Sequence, residues 1–162
     1  PRRVGEADGV DYHFVDCKTF DAMVADGAFA EWAEVHGNRY GTALETLQRF
    51  KASGHDLLLD IDCQGAAQLK RSWRQGVFIF VLPPSFDELR RRLATRNTDS
   101  TDVIARRLDN ARHEIPEAAW YDYIVVNDDF DRALEALKAI IVAEGSRASR
   151  LAGIVERILS TD

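Results

Sequence analysis

A chain of 162 residues has room for one compact domain with a sizeable core and a small inserted subdomain. Its net charge of −6 offers no basic field to a phosphate backbone, which argues against nonspecific nucleic-acid binding and makes any phosphate site a local one. No apolar run approaches membrane-spanning length and no secretory leader is visible, while Cys17 and Cys63 have neither metal-ligand nor disulfide-framework spacing, so a reducing compartment is expected.

Residues 1 to 9 are polar and punctuated by glycine, and read as a loop carrying Arg2 and Arg3 side by side. Asp11 to Val15, short and aromatic, is predicted to be a strand. Asp16 is placed to cap a helix through Phe20, Met23 and Val24 that Gly27 ends. Period-two alternation around Glu31 and Trp32 predicts strands, with Glu31 and Glu34 on opposite faces and Gly37 and Gly41 as turns. Thr42 is expected to cap a helix with Leu44, Leu47 and Phe50 on one face, stopping at Gly54.

Leu57 to Asp62 is a continuous apolar run closing on two acids, the pattern of a strand buried on both faces of a parallel sheet. A helix from about Gly65 to Trp73 follows, then a second apolar strand, Val77 to Leu82, ended by Pro83 and Pro84. Ser85 and Glu88 form a capping box for a helix that turns Phe86, Leu89 and Leu93 inward. Residues 95 to 101 are polar and are expected to be mobile. Ile104, Leu108, Ala111 and Ile115 stripe the next helix, Tyr123 to Val126 is a third apolar strand, and one or two helices complete the chain, with Gly145 and Gly153 as weak points. Strands alternating with helices give an α/β fold with a parallel sheet, interrupted by a β-rich insert.

Three groups of residues could carry chemistry. Glu31 and Thr42 can face one cleft, where a carboxylate and a hydroxyl match the adjacent N–H donors and carbonyl of a guanine edge; a solvated hairpin is the plainer alternative. Asp60 and Asp62 share parity at the end of an apolar strand, where α/β sheets border ligand crevices and where phosphate-transferring folds hold a magnesium-bound water. The alternative is that one acid caps the next helix and the other is solvated. Arg92 and Arg96 lie four apart on one helix face, and beyond the mobile segment the helical phase puts Arg107 at the edge of the inward stripe and Arg106 almost opposite. His13, His36, His55 and His113 have no paired acid or nucleophile and read as structural, and the cysteines read as small core residues.

Taken together, residues 5–14, Glu31-Trp32-Ala33, the run from Gly37 to Thr42, the run from Asp60 to Gly65 and the run from Val126 to Asp129 closely resemble guanylate kinase, in that family's order, to about Glu144. The resemblance implies a P-loop NTPase-like parallel sheet core flanked by helices, with a small β-rich GMP-binding insert and a helical lid. It implies transfer of the terminal phosphate of ATP to GMP, with Mg2+, in purine nucleotide metabolism in the cytoplasm. It divides the chain into a GMP-binding subdomain (1–42), core segments (43–91 and 108–146), a lid region (92–107) and a helical tail (147–162).

By the same resemblance, Arg3, Tyr12 and Tyr40 hold the GMP phosphate, and Glu31, Thr42 and Asp62 read guanine. Asp60 lies near the magnesium, holding it through water at most. Arg92, Arg96 and Arg107 are lid arginines, and Asn127 takes the adenine side. Small-molecule substrates are the expected partners, with no nucleic acid and no membrane, and a homo-oligomer is left open. Asn97 replaces the glycine that usually follows the lid arginine. No Gly-x-x-x-x-Gly-Lys-Ser/Thr run occurs in the chain, which opens on Pro1. In the family that loop precedes the matching region, so further residues upstream are expected and the chain as printed should be a poor catalyst. The alternative from another class is a guanylate-kinase-like scaffold module that binds phosphorylated peptides through the GMP site.

Overall fold

The computed structural model describes residues 2, 5–35, 37–73, 75–95 and 100–160. The chain divides into two compact units, Pro1–Gly76 and Val77–Asp162.

The first unit opens on a loop rather than the strand expected at Asp11 to Val15. Its backbone donors are taken by nearby carboxylates: Asp8 Oδ1 accepts from Phe14 N at 2.8 Å and Asp11 Oδ2 from Ala7 N at 2.7 Å. Short Asx bonds of this kind compete with a ladder, and among the described residues of this loop one isolated bridge, Asp8 to Tyr12, is the pairing that remains. Helix α1 (Cys17–Ala25) starts at Asp16, whose side chain accepts from Thr19 N, and ends before Gly27 at φ +64°. Its Phe20 is buried against Phe29 and Trp32, with ring centroids 4.7 and 6.1 Å away. Cys17 is exposed and Cys63 half-buried, so neither is the core residue expected.

Strands β1 (Phe29–Val35) and β2 (Asn38–Ala43) form an antiparallel hairpin whose closing pair is Val35 and Asn38. The two-residue connection needs positive φ, which Gly37 supplies at +79°. Gly41 has a different reason from the turn expected of it. It lies within β2, where a Cβ would come within 2.8 Å of the Phe29 ring. Helix α2 (Leu44–Ser53) follows, half-burying Leu44 and Phe50 and burying Leu47, and Gly54 closes it at φ +71°. Its N-cap is Ala43, one residue past the Thr42 expected and without a capping side chain, while the Thr42 hydroxyl donates to Glu31.

The strand expected at Leu57 to Asp62 does not form. Leu58 is 83% exposed, and the run has no ladder partner among the described residues; without one, apolar composition alone cannot make a strand. Helix α3 (Cys63–Ser72) then packs on β1, burying Gly65, Ala66 and Leu69.

In the second unit, β3 (Ile79–Leu82) and β4 (Tyr123–Val126) pair in parallel, in register from Ile79–Tyr123 to Leu82–Val126. Aromatic rings close one end of this pair: Phe78 meets Trp120 and Tyr121 edge-on, and Phe80 meets Tyr121 with centroids 4.8 Å apart. Helices α4 (Phe86–Thr95) and α5 (Thr101–Glu114) pack together, with the Arg112 guanidinium 4.9 Å from the Phe86 ring. Ser85 caps α4 by accepting from Glu88 N, but Glu88 turns its own side chain to arginines instead of completing the box. Pro116 lies in a 3-10 helix, Ile115–Trp120, that leads into β4.

The end of the chain is two helices, α6 (Phe130–Gly145) and α7 (Ala148–Leu159), broken after Gly145. Glu144 is buried at that break, accepting from Tyr123 Oη at 2.6 Å and pairing with Arg147 at 2.7 Å. Among the described residues no helix is long and apolar enough to cross a membrane.

Candidate functional site

Ladder register decides which side chains share the inner face of the hairpin. Glu31 lies opposite Thr42 and Ala33 opposite Tyr40, so Glu31, Tyr40 and Thr42 leave the same side. Trp32, Glu34 and Arg39 leave the other. There Arg39 pairs with Asp21, donates to Cys17 O at 3.2 Å and covers the Phe20 ring, which spends it on holding β2 to α1. Tyr12 joins the inner face through its ring, 5.8 Å from that of Tyr40.

Glu31 is 5% exposed, and Thr42 Oγ1 donates to its Oε1 at 2.6 Å. Burial pushes its carboxyl above the ordinary range; the Thr42 hydrogen bonds oppose the shift and the Asp62 charge adds to it. Asp62 caps α3, its Oδ1 accepting from Gly65 N at 2.9 Å and its Oδ2 from Gln64 Nε2 at 3.1 Å. One acid of the expected pair therefore caps a helix while also facing Glu31. Asp60 is exposed, so the two acids of the run take different environments.

Two residues that sequence reasoning passed over hold this arrangement together. Gln68 Nε2 donates to Trp32 O at 2.7 Å while its Oε1 accepts from Trp32 N at 3.2 Å, which fixes α3 against β1. Gly65 is buried in the first turn of α3, where a Cβ would overlap Glu31 Oε2. A signal for both was available: Gln64, Gly65 and Gln68 follow Asp62 at spacings that put them on or beside one helix face.

In the second unit Arg92 is half-buried, its Nε donating to Glu88 Oε1 at 2.7 Å and its Nη2 reaching Asp128 O at 3.5 Å. Glu88 also takes both Arg91 donors, and the two guanidinium groups pull its carboxyl down to about 2. Asn127 sits just past β4, and its backbone N donates to Leu82 O at 2.7 Å. The structure thus brings Arg92 to the loop that begins with Asn127. Arg107 is half-buried on α5 and Arg106 exposed, the phase expected. Arg3, Arg96, Asn97 and His36 lie outside the described residues, whereas His13, His55 and His113 are exposed.

The chemistry of the inner face is that of a hydrogen-bond reader: a buried acid, a hydroxyl and a second acid beside two phenols. Among the described residues no group of three or more His, Cys, Asp or Glu could hold a metal ion. A single exposed carboxylate such as Asp60 fits magnesium held through water and nucleotide phosphates, and does not fit a protein cage.

A family model described as guanylate kinase matches residues 1–144. The guanylate kinase of Syntrophotalea carbinolica is 66% identical over 162 residues, covering 100% of this chain and 77% of that protein. That of Geobacter metallireducens is 57% identical over 149 residues, covering 92% and 73%. Among solved structures, the guanylate kinase from Anaplasma phagocytophilum superposes with a TM-score of 0.82 at 36% identity, covering 99% of this chain and 79% of that one.

Proposed function

Because the chain belongs to the guanylate kinase family of nucleotide-binding transferases, we propose that it moves the terminal phosphoryl group of ATP to GMP, releasing ADP and GDP, as a step of cytoplasmic purine metabolism. The observation that carries the substrate assignment is the buried Glu31 carboxylate held by Thr42 beside Asp62. A carboxylate offers two acceptor oxygens to the paired N–H donors of guanine, and adenine has no such pair.

In this reading Glu31, Thr42 and Asp62 bind the base. The Thr42 proton is committed to Glu31, so Thr42 offers lone pairs to a base amino group unless it lets that bond go. Tyr12 and Tyr40, with Arg3, take the GMP phosphate. Arg92, Arg96 and Arg107 supply positive charge to the transferring group, and Asn127 borders the adenine side. Asp60 would hold a water of the magnesium ion, which when bound to ATP neutralises phosphate charge. Positioning and charge stabilisation then carry the transfer, with no covalent intermediate and no general base. The phosphopeptide-scaffold reading is the less favoured one, because the relatives this chain matches are guanylate kinases.

An ADP-release assay on the intact protein with GMP, AMP and UMP tests the proposal. Turnover with GMP alone is expected, and none with GMP removes the enzyme reading.

A further inference from the structure

Gly65 occupies an ordinary helical position: no left-handed φ calls for glycine there, and glycine favours a helix less than alanine does. What surrounds it calls for glycine instead. An added Cβ would overlap Glu31 Oε2, stand 3.0 Å from Glu31 Cδ and 3.4 Å from Asp62 Oδ1. Its N–H meanwhile holds Asp62 Oδ1 at 2.9 Å. One residue therefore touches both acids, through its backbone donor on one side and its bare Cα on the other.

We infer that Gly65 is the positioning residue of the base-reading site, and that selectivity for guanine depends on position 65 having no side chain. The inference rests on the GMP reading above. Thr42 fixes the other oxygen of Glu31 at 2.6 Å, and Gln68 ties α3 to the Trp32 backbone at both N and O. Helix and strand are thereby held in place, so a methyl group at 65 is relieved by swinging the Glu31 carboxylate off Thr42. The fold survives that movement. The alignment of the reader with the base does not.

The test titrates GMP and IMP, which lacks the 2-amino group, against the full chain, Gly65→Ala and the control Gly153→Ala, whose added Cβ meets nothing within 4 Å. Gly65→Ala should weaken GMP about tenfold or more and IMP much less, the pattern of a lost hydrogen-bonded pair. Gly153→Ala should leave both unchanged. Equal weakening of GMP and IMP by Gly65→Ala, or a retained preference for GMP, overturns the role of Gly65. A parent chain that binds the two alike removes the GMP reading itself, and this inference with it. Should Gly65→Ala lose its helical signal, Glu31→Asp/Gly65→Ala decides: the shorter acid withdraws from position 65, so the double variant should regain the helical signal. A double variant that stays unfolded while Glu31→Asp alone folds overturns the contact.

Discussion

Thr42 donates its hydroxyl proton to Glu31 across the β1–β2 ladder, between residues that are direct register partners, and this one bond decides three local features. It orients a buried carboxylate, it opposes the upward shift of that carboxyl, and it keeps the Thr42 hydroxyl from the start of α2, whose N-cap Ala43 has no side-chain bond. Removing the charge while keeping the shape separates function from stability.

Glu31→Gln should weaken GMP binding by about 1–3 kcal/mol, since one acceptor of the paired N–H groups becomes a donor. The same change removes a desolvated charge, so the ligand-free protein at pH 7 should melt about 2 °C higher, the shift for less than 1 kcal/mol in a domain of this size. Titration and thermal melting read the two effects. A variant that binds GMP as the parent does would show that Glu31 is not the reader.

Acid should weaken GMP binding before it unfolds the site. Burial raises the Glu31 carboxyl above its ordinary value of 4.5, and the proposed GMP reading requires it ionised. GMP affinity should therefore begin to fall at a higher pH than an ordinary carboxylate would set. Stability has the opposite sign for this group: a raised carboxyl makes its contribution below the unfolded value and loses it as pH rises through the folded one. Calorimetric titration at several pH values checks the affinity, and a flat profile down to 4.5 would contradict the shift.

Glu88 behaves in the reverse sense. Hydrogen bonds from Arg91 and Arg92 lower its carboxyl from 4.5 to about 2, so its stabilising contribution is complete above 4.5 and is lost as pH falls toward 2. Both arginines lie near the surface, and salt should screen much of the effect. Glu88→Gln should flatten acid melting over that window at low salt and matter little at high salt.

The two neighbouring arginines of α5 separate by helical phase. Arg107 is half-buried and Arg106 exposed, so Arg107→Ala should lower kcat at least about tenfold with GMP affinity nearly unchanged, whereas Arg106→Ala should do little. Steady-state kinetics of the intact protein measure both. Equal losses would place both side chains in the same surroundings.

Gly41→Ala tests the hairpin. The new methyl group would meet the Phe29 ring at 2.8 Å and Glu31 O at 3.0 Å, an overpacking that should cost about 1–3 kcal/mol and lower the melting temperature. An unchanged melting temperature would mean that the ring has room to move.

Periodicity and capping alone were enough to locate most helices, to mark Val77–Leu82 and Tyr123–Val126 as apolar strands, and to place Glu31 and Thr42 on one face. Those are local properties: Asp16 caps its own helix, Ser85 its own, and alternation assigns a face wherever a hairpin closes. What lay beyond them depended on contacts between distant segments. Leu57 to Asp62 had the composition of a buried strand but needed a ladder partner, Thr42 had the chemistry of a cap but found Glu31 first, and Asp11 to Val15 lost its pairing to neighbouring carboxylates. Gly65 and Gln68 are commonplace in sequence. Only the packing of α3 on β1, at distances of 2.7 to 3.2 Å, makes one a seat for a carboxylate and the other a clamp, because the meaning of a missing methyl group or of an amide lies in what stands against it.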